Sequence, residues 1–490
     1  MRTLLQRIGA LYTCDEADRV LHDACVVVDD GRIAEVCVAE PEGHFDQQLD
    51  LAGCVVMPGL VNLHHHFFQT LTRAIPLGLS GHLLDWLRAM YPLWAGITPD
   101  DLAAATEASM AELLLTGATT SADSAYLVPR ADPAYTDALV GAALRCGMRL
   151  HLVSGGMTGM EDQLEAELSA VLGPRAGGLV VEPDAVLADM RRSLDKHHDA
   201  GFGARVQVAL GATTVDYNRL DFMRQIAALA KDAGCGLHVH FHPRPDERAL
   251  CRERFGQRPL QVLASTDWVR PGTWFAHSTR VDDDDMREMA EAGVAVAHCP
   301  RMLLRLGARV TPVHEMLAHG VRVGFGVDGG ASNDAGSMLG ELRLGLMMHR
   351  LAGGEGSVPW QQWMTPYDAL TMATRGAAAI LGRSDIGRIA PGLCADITAF
   401  DMSGVGYAGA RTDWLSGLLV AGSDSRAAMT MVGGGLRVWR GQLLWDDETR
   451  IRARTDAATA RLVEAATART GLDYRRGAAG FGQAAGTKSA

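Results

Sequence analysis

Residues 54–66 read CVVMPGLVNLHHH, an apolar run that stops on three histidines. The same pattern, a short apolar run closing on polar or metal-capable side chains, returns at GATTSADSAY (117–126), GMRLHLVSGG (147–156) and ARVQVALGATT (204–214). It returns again at CGLHVHFH (235–242), GTWFAHS (272–278), GVAVAHCP (293–300) and VRVGFGVDGGASND (321–334). Amphipathic stretches separate these runs, with helices expected at 100–116, 219–233 and 334–349. Apolar runs alternating with helical stretches are the signature of β/α units around a parallel sheet. Eight of them predict a (β/α)8 TIM barrel, whose chemistry collects at the C-terminal ends of the strands. A doubly wound open sheet is the alternative, but no phosphate-binding glycine loop follows the first run.

The flanks differ in style. HDACVVVDD, Gly31 and RIAEVCVAE form a hairpin pattern, and CADITAFDM with MTMVGGGLRVWRGQLLW repeats it near the other end. The expected organisation is a small composite β domain, a β-sandwich, from 1–58 and 388–445, a barrel over 59–387, and a C-terminal helix with a flexible tail over 446–490.

Of the 490 residues, 48% are hydrophobic and 21% charged, which is ordinary for a globular chain. The balance of 46 basic and 58 acidic residues, a net charge of −12, argues against nucleic acid as partner. No apolar run reaches the roughly 18 residues of a membrane span, and the start lacks a secretory h-region. Nine cysteines, without a C-x-x-C pair, fit a reducing compartment, so a cytoplasmic protein is expected.

His64 and His66 are two apart, so on a strand both imidazoles point to one side, with His65 opposite. His238 and His240 repeat the spacing, His277 closes the sixth run, and Asp328 closes the eighth. Three neutral imidazoles and one carboxylate would bind Zn2+ or Fe2+ and leave a position for a water whose pKa falls to about 7. His277 is open between ligand, orienter and general base; His238 reads as a neighbour behind the ligands or a further ligand. His298 reads as a hydrogen-bonded core residue.

PGLVNLHHHFFQ, HVHFH, WFAHS and GFGVDGGASND together resemble the amidohydrolase superfamily, in its cytosine/guanine/8-oxoguanine deaminase and triazine hydrolase branch. The resemblance spans about residues 1–445. It implies one divalent metal, Zn2+ ahead of Fe2+, and hydrolysis at an sp2 carbon of a small nitrogen heterocycle such as an oxopurine, pterin, pyrimidine or triazine. It implies His64, His66, His240 and Asp328 as ligands, His277 as the group that holds or deprotonates the water, and Gln69 as a substrate contact. A homo-oligomer is also expected. The binuclear members are less similar, because neither RLHLVSGG nor ARVQVALGATT carries their bridging lysine.

Several positions depart from the pattern. The glutamate expected three residues after His240 is Pro243, which cannot transfer a proton; general acid–base help is worth about 10²- to 10⁴-fold in rate. His242 is the first surrogate considered, ahead of Asp246 and Glu247, because it would share the side of His240 if the strand continued. Asp123-Ser124 stands where related deaminases place a histidine, and Ser154 where some carry an arginine. Arg301 reads as an anionic-substrate contact or a solvated loop charge, Trp86 as a stacking partner or part of a helix face, and Ser332, Asn333 and Asp334 as caps of the eighth helix. The metal site could alternatively serve a non-amine leaving group, a cyclisation or a dehydration in specialised metabolism, or the barrel could bind metal or ligand without turnover.

Overall fold

The computed structural model describes residues 1–351, 354, 356–422 and 424–477. Its centre is a sheet of eight parallel strands in chain order: β1 (Leu60–Asn62), β2 (Ala118–Ala125), β3 (Arg149–Ser154), β4 (Val206–Ala212), β5 (Leu237–Phe241), β6 (Thr273–His277), β7 (Ala295–His298) and β8 (Arg322–Phe325). Nearly every residue of these strands is buried. Parallel strands covered on both faces need continuous apolar runs, which is why the eight stood out in the sequence. The sheet closes into a barrel where Leu63 N–H donates to the Phe325 carbonyl at 3.0 Å and Asp328 N–H to the His64 carbonyl at 2.9 Å. A two-residue parallel pairing, Asp328 with His65 and Gly329 with His66, completes the seam. The expected (β/α)8 barrel is the fold.

The run 54–66 is not one strand. Cys54–Pro58 pairs antiparallel with Ile397–Asp401 in a seven-stranded sheet outside the barrel, and the chain enters the barrel only after Gly59. A Cβ at Gly59 would collide with the Thr119 side chain, so the crossing needs glycine. The seven-stranded sheet packs on a four-stranded one that holds the hairpin Ala24–Asp29 with Arg32–Cys37. Leu5, Val26 and Val28 from one sheet and Val56, Ile397 and Met431 from the other share an apolar core between them. Strands from both ends of the chain thus form a sandwich beside the barrel. Arg149 of β3 ties the two together through a bidentate ion pair with Asp396 at 2.8 Å, both side chains 1% exposed.

The helices expected at 100–116 and 219–233 are Pro99–Leu115 and Leu220–Asp232. The eighth helix is Met338–Met348, and its cap is Ser337, whose hydroxyl accepts from Gly340 N–H at 3.1 Å. The expected caps lie upstream and do other work: Ser332 and Asn333 brace the turn after Asp328, and Asp334 accepts from Arg305 and Ala74. The C-terminal helix Glu448–Thr470 lies against Pro99–Leu115 and is linked to it by Arg454–Glu107 and Arg461–Asp101 ion pairs. Beyond it Tyr474 is fully buried, so the tail is packed as far as that residue; 478–490, part of the segment expected to be flexible, lie outside the described residues.

Candidate active site

The C-terminal strand ends gather the histidines. His64 follows β1, His66 lies in the seam opposite Gly329, His240 is the penultimate residue of β5, His277 ends β6 and Asp328 follows β8. His277 and Asp328 adopt left-handed backbone conformations, φ 72° and 59°. Such strain costs about 1–3 kcal/mol per residue and persists where surrounding structure holds it. Here Thr311 donates to the His277 carbonyl at 2.7 Å, and Asp328 N–H is fixed by the His64 carbonyl. A Cβ on Gly329 would collide with the Gln69 amide, which could not then keep its present position.

The hydrogen bonds decide the tautomers. His66 Nδ1 faces the Ser124 carbonyl at 3.0 Å and His240 Nδ1 the Thr213 carbonyl at 2.5 Å, so both Nδ1 atoms carry the proton. Their Nε2 atoms, 3.1 Å apart, are then two bare lone pairs facing each other. His238 Nδ1 donates to the Trp274 carbonyl at 2.8 Å, leaving His238 Nε2 to accept from His64 Nδ1, also at 2.8 Å. His64 Nε2 is therefore a third lone pair; it is buried and lacks a hydrogen-bond donor. Asp328 Oδ1 lies 3.4 Å from His64 Nε2 and 3.3 Å from His66 Nε2. Three lone pairs and a carboxylate converging in a buried volume repel one another unless a cation lies among them. The donor set fits a divalent metal. Ligand atoms of His64, His66 and His240, and again of His64, His277 and Asp328, lie within 4.8 Å of one another.

Burial lowers every imidazole: His64, His238 and His277 to well below the usual histidine range, His240 to about 4. These rings are neutral at physiological pH, the form that ligates metal. Burial pushes the Asp328 carboxyl up, but His277, His66, His240 and the Gly329 N–H outweigh it and leave it below its ordinary value, ionised. Asp123 has no such partners. Burial raises it to about 8 against a hydrogen bond from Phe67 N–H at 2.7 Å, so it is a mostly neutral anchor for the loop after His66.

The cluster opens into a cavity of about 640 Å3 walled by His66, Gln69, Trp86, Tyr91, Tyr126, His240, Pro243, His277, Met302 and Asp328, among others. Of the expected substrate contacts, Gln69 and Trp86 reach this wall, and both keep a buried polar atom, Gln69 Oε1 and Trp86 Nε1, without a partner. Ser154 does not reach it; it is buried at the end of β3. Nor does Arg301, which is exposed and donates through Nε to the Asn333 carbonyl at 3.1 Å. His242 is also absent from the wall. The strand ends at Phe241, and His242 turns to φ 54° with its backbone N–H donating to Glu247 at 3.1 Å. The extended backbone that would have kept it on the side of His240 stops one residue early. His298 is buried away from the cavity against His349, Nε2 to Nε2 at 3.0 Å. Tyr91, Tyr126, Arg244 and Arg280 are wall residues that sequence reasoning passed over. Tyr126 ends the second quoted run and Arg280 follows His277 by three, so position relative to a strand end was the available signal.

A barrel with such a cluster at its C-terminal rim is the architecture of a hydrolytic enzyme with a candidate metal site. The chain belongs to the amidohydrolase family, whose model matches residues 55–436. It is 39% identical over 469 residues to an 8-oxoguanine deaminase of Pseudomonas aeruginosa, covering 94% of this chain and 99% of that protein. It is 34% identical to a hydroxydechloroatrazine ethylaminohydrolase of Pseudomonas sp. (strain ADP), covering 94% and 96%. An atrazine chlorohydrolase of Arthrobacter aurescens TC1, solved complexed with zinc, superimposes with a TM-score of 0.86 at 30% identity, covering 93% of this chain and 100% of that one.

Proposed function

We propose that the protein is a mononuclear zinc-dependent aminohydrolase of a small, planar, nitrogen-rich ring: an oxopurine, pterin, pyrimidine or triazine. The observation that carries this is the convergence of three imidazole lone pairs and the Asp328 carboxylate on a cavity walled by Trp86, Tyr91 and Tyr126. His64, His66, His240 and Asp328 would hold the ion. A divalent ion there supplies Lewis acidity, which lowers the pKa of water to about 7.

The chain's own groups do the rest. His277, neutral and buried, orients the attacking water, and Asp328 accepts its proton. The ring docks against Trp86 and Tyr91, with the free Gln69 Oε1 and Trp86 Nε1 available to its edge. Addition of water to the amidine carbon and breakage of its bond to the exocyclic nitrogen release ammonia or an amine, and Asp328 returns the proton to that nitrogen. Proline at 243 puts no carboxylate at that position, and the other carboxylates on the wall, Asp85 and Asp246, are engaged by Arg88 at 3.2 Å and Arg244 at 3.0 Å, so Asp328 carries the proton both ways. His238 holds His64 in its tautomer. The proposal places the enzyme in the cytoplasm, where its nine free cysteines stay reduced, and as a homo-oligomer, which sedimentation velocity tests. Among the described residues, no helix is long and apolar enough to cross a membrane.

Pro243 also supports a second reading, in which the same site expels a leaving group that needs no proton. Zinc-loaded protein assayed against the four ring classes for release of ammonia, amine or halide decides between them. Hydrolysis with ammonia or amine release, abolished by Asp328→Ala, is expected. Halide release alone supports the second reading; no turnover, or turnover that survives Asp328→Ala, contradicts both.

A further inference from the structure

Three arginines line the cavity, and two of them are spoken for. Arg88 donates to Glu167 at 2.7 Å and Asp85 at 3.2 Å. Arg244, 5% exposed, is held by Asp216 at 2.5 Å, Asp246 at 3.0 Å and the Tyr217 hydroxyl at 2.5 Å. Arg280 is different. Among the described residues its guanidinium makes no hydrogen bond and no ion pair, and its Nε is buried without a partner. The carboxylate closest in sequence, Asp282, is taken by Arg248 at 2.9 Å and Arg258 at 3.6 Å.

The loop that carries Arg280 is fixed. Ser278 N–H bonds the Phe241 carbonyl at 2.8 Å and Thr279 Oγ1 the His242 carbonyl at 2.6 Å. Arg280 therefore stands on the cavity wall three residues from His277, on backbone tied to the β5 end that also bears His240. A buried guanidinium N–H left unpaired costs about 1–3 kcal/mol, and a charged group costs more, so such a group in a cavity wall is satisfied by what enters the cavity. A planar fork of donors matches a carboxylate bidentately. The cavity, about 640 Å3, leaves room for a substituent beyond a bicyclic ring.

We propose that Arg280 binds a carboxylate substituent of the substrate, so that the ring hydrolysed here is a carboxylated nitrogen heterocycle. This rests on the reading of the site as a heterocycle hydrolase. It also relocates the anion contact that the sequence suggested at Arg301, whose guanidinium lies outside the cavity wall.

The test is calorimetric binding to the zinc-loaded full chain of lumazine, a deaminated pteridine, against lumazine-6-carboxylate and lumazine-7-carboxylate. Wild type is expected to prefer one of the carboxylates by tenfold or more. In Arg280→Gln, checked for zinc content and circular dichroism, the preference falls below twofold, and Arg280→Lys restores part of it. Lumazine and its carboxylates binding alike to wild type, or a preference that survives Arg280→Gln, overturns the role of Arg280 alone. Failure of all three to bind removes the pteridine ring from the site and overturns this inference together with the pterin arm of the proposed function, which the turnover panel then tests separately through its other rings.

Discussion

His238 Nε2 accepts from His64 Nδ1 at 2.8 Å, and this one hydrogen bond turns the lone pair of His64 Nε2 toward Asp328. Partners of this kind are worth about 10- to 100-fold in metal affinity. Competition with a chromogenic chelator should show His238→Ala binding zinc about 10- to 100-fold more weakly than wild type, with zinc stoichiometry retained at saturation. Unaltered affinity would mean that His64 holds its tautomer without this bond.

The Arg149–Asp396 pair is a buried polar link between barrel and sandwich, both side chains being 1% exposed. Removing one partner of a buried pair strands the other charge, at a cost of about 3–5 kcal/mol. Asp396→Ala should lose about that much in urea denaturation, while Arg7→Ala, at an ion pair whose side chains are 66% and 45% exposed, should lose under about 1 kcal/mol. Equal losses would contradict the assignment.

Asp123 makes stability depend on pH. Its carboxyl, raised by burial from 3.8 to about 8, binds a proton more tightly folded than unfolded. Its contribution is present below about pH 4 and is lost as pH rises toward about 8. Asp123→Asn keeps an oxygen acceptor for Phe67 N–H but does not ionise. In chelator-treated protein it should flatten the fall in melting temperature between pH 5 and pH 8.5, with the variant the more stable at the alkaline end. A steeper fall in the variant would contradict the burial argument.

Most of the barrel was legible in the sequence because parallel strands buried on both faces leave no choice but continuous apolar runs. The histidines stood out because barrel strands end where chemistry collects. The break of 54–66 into two strands was not legible: it turns on a close approach between Gly59 and Thr119, sixty residues apart in sequence. The departure of His242 hangs on a single backbone angle after Phe241. Arg280 and Arg301 look alike as letters; only the packing around them shows that one faces the cavity without a partner and the other lies outside its wall. For Ser154, the position in β3 was readable but its distance from the cavity was not.

Pro243 separates the two readings of the chemistry. If amine release is limited by the missing acid, Pro243→Glu should raise ammonia release by about 10-fold or more, within the span that general acid–base catalysis covers. Steady-state kinetics at neutral pH check it. A rate unchanged or lower, in a variant that keeps its zinc, would mean that Asp328 already supplies the proton at full effect.

The central claim is the metal centre, and zinc titration of metal-free protein read by X-ray absorption addresses it. The account predicts one zinc per chain in a shell of nitrogen and oxygen at about 2.0–2.2 Å, without sulfur, and loss of binding in His66→Ala/His240→Ala. Substoichiometric zinc, a sulfur scatterer, or undiminished binding in that variant would contradict it.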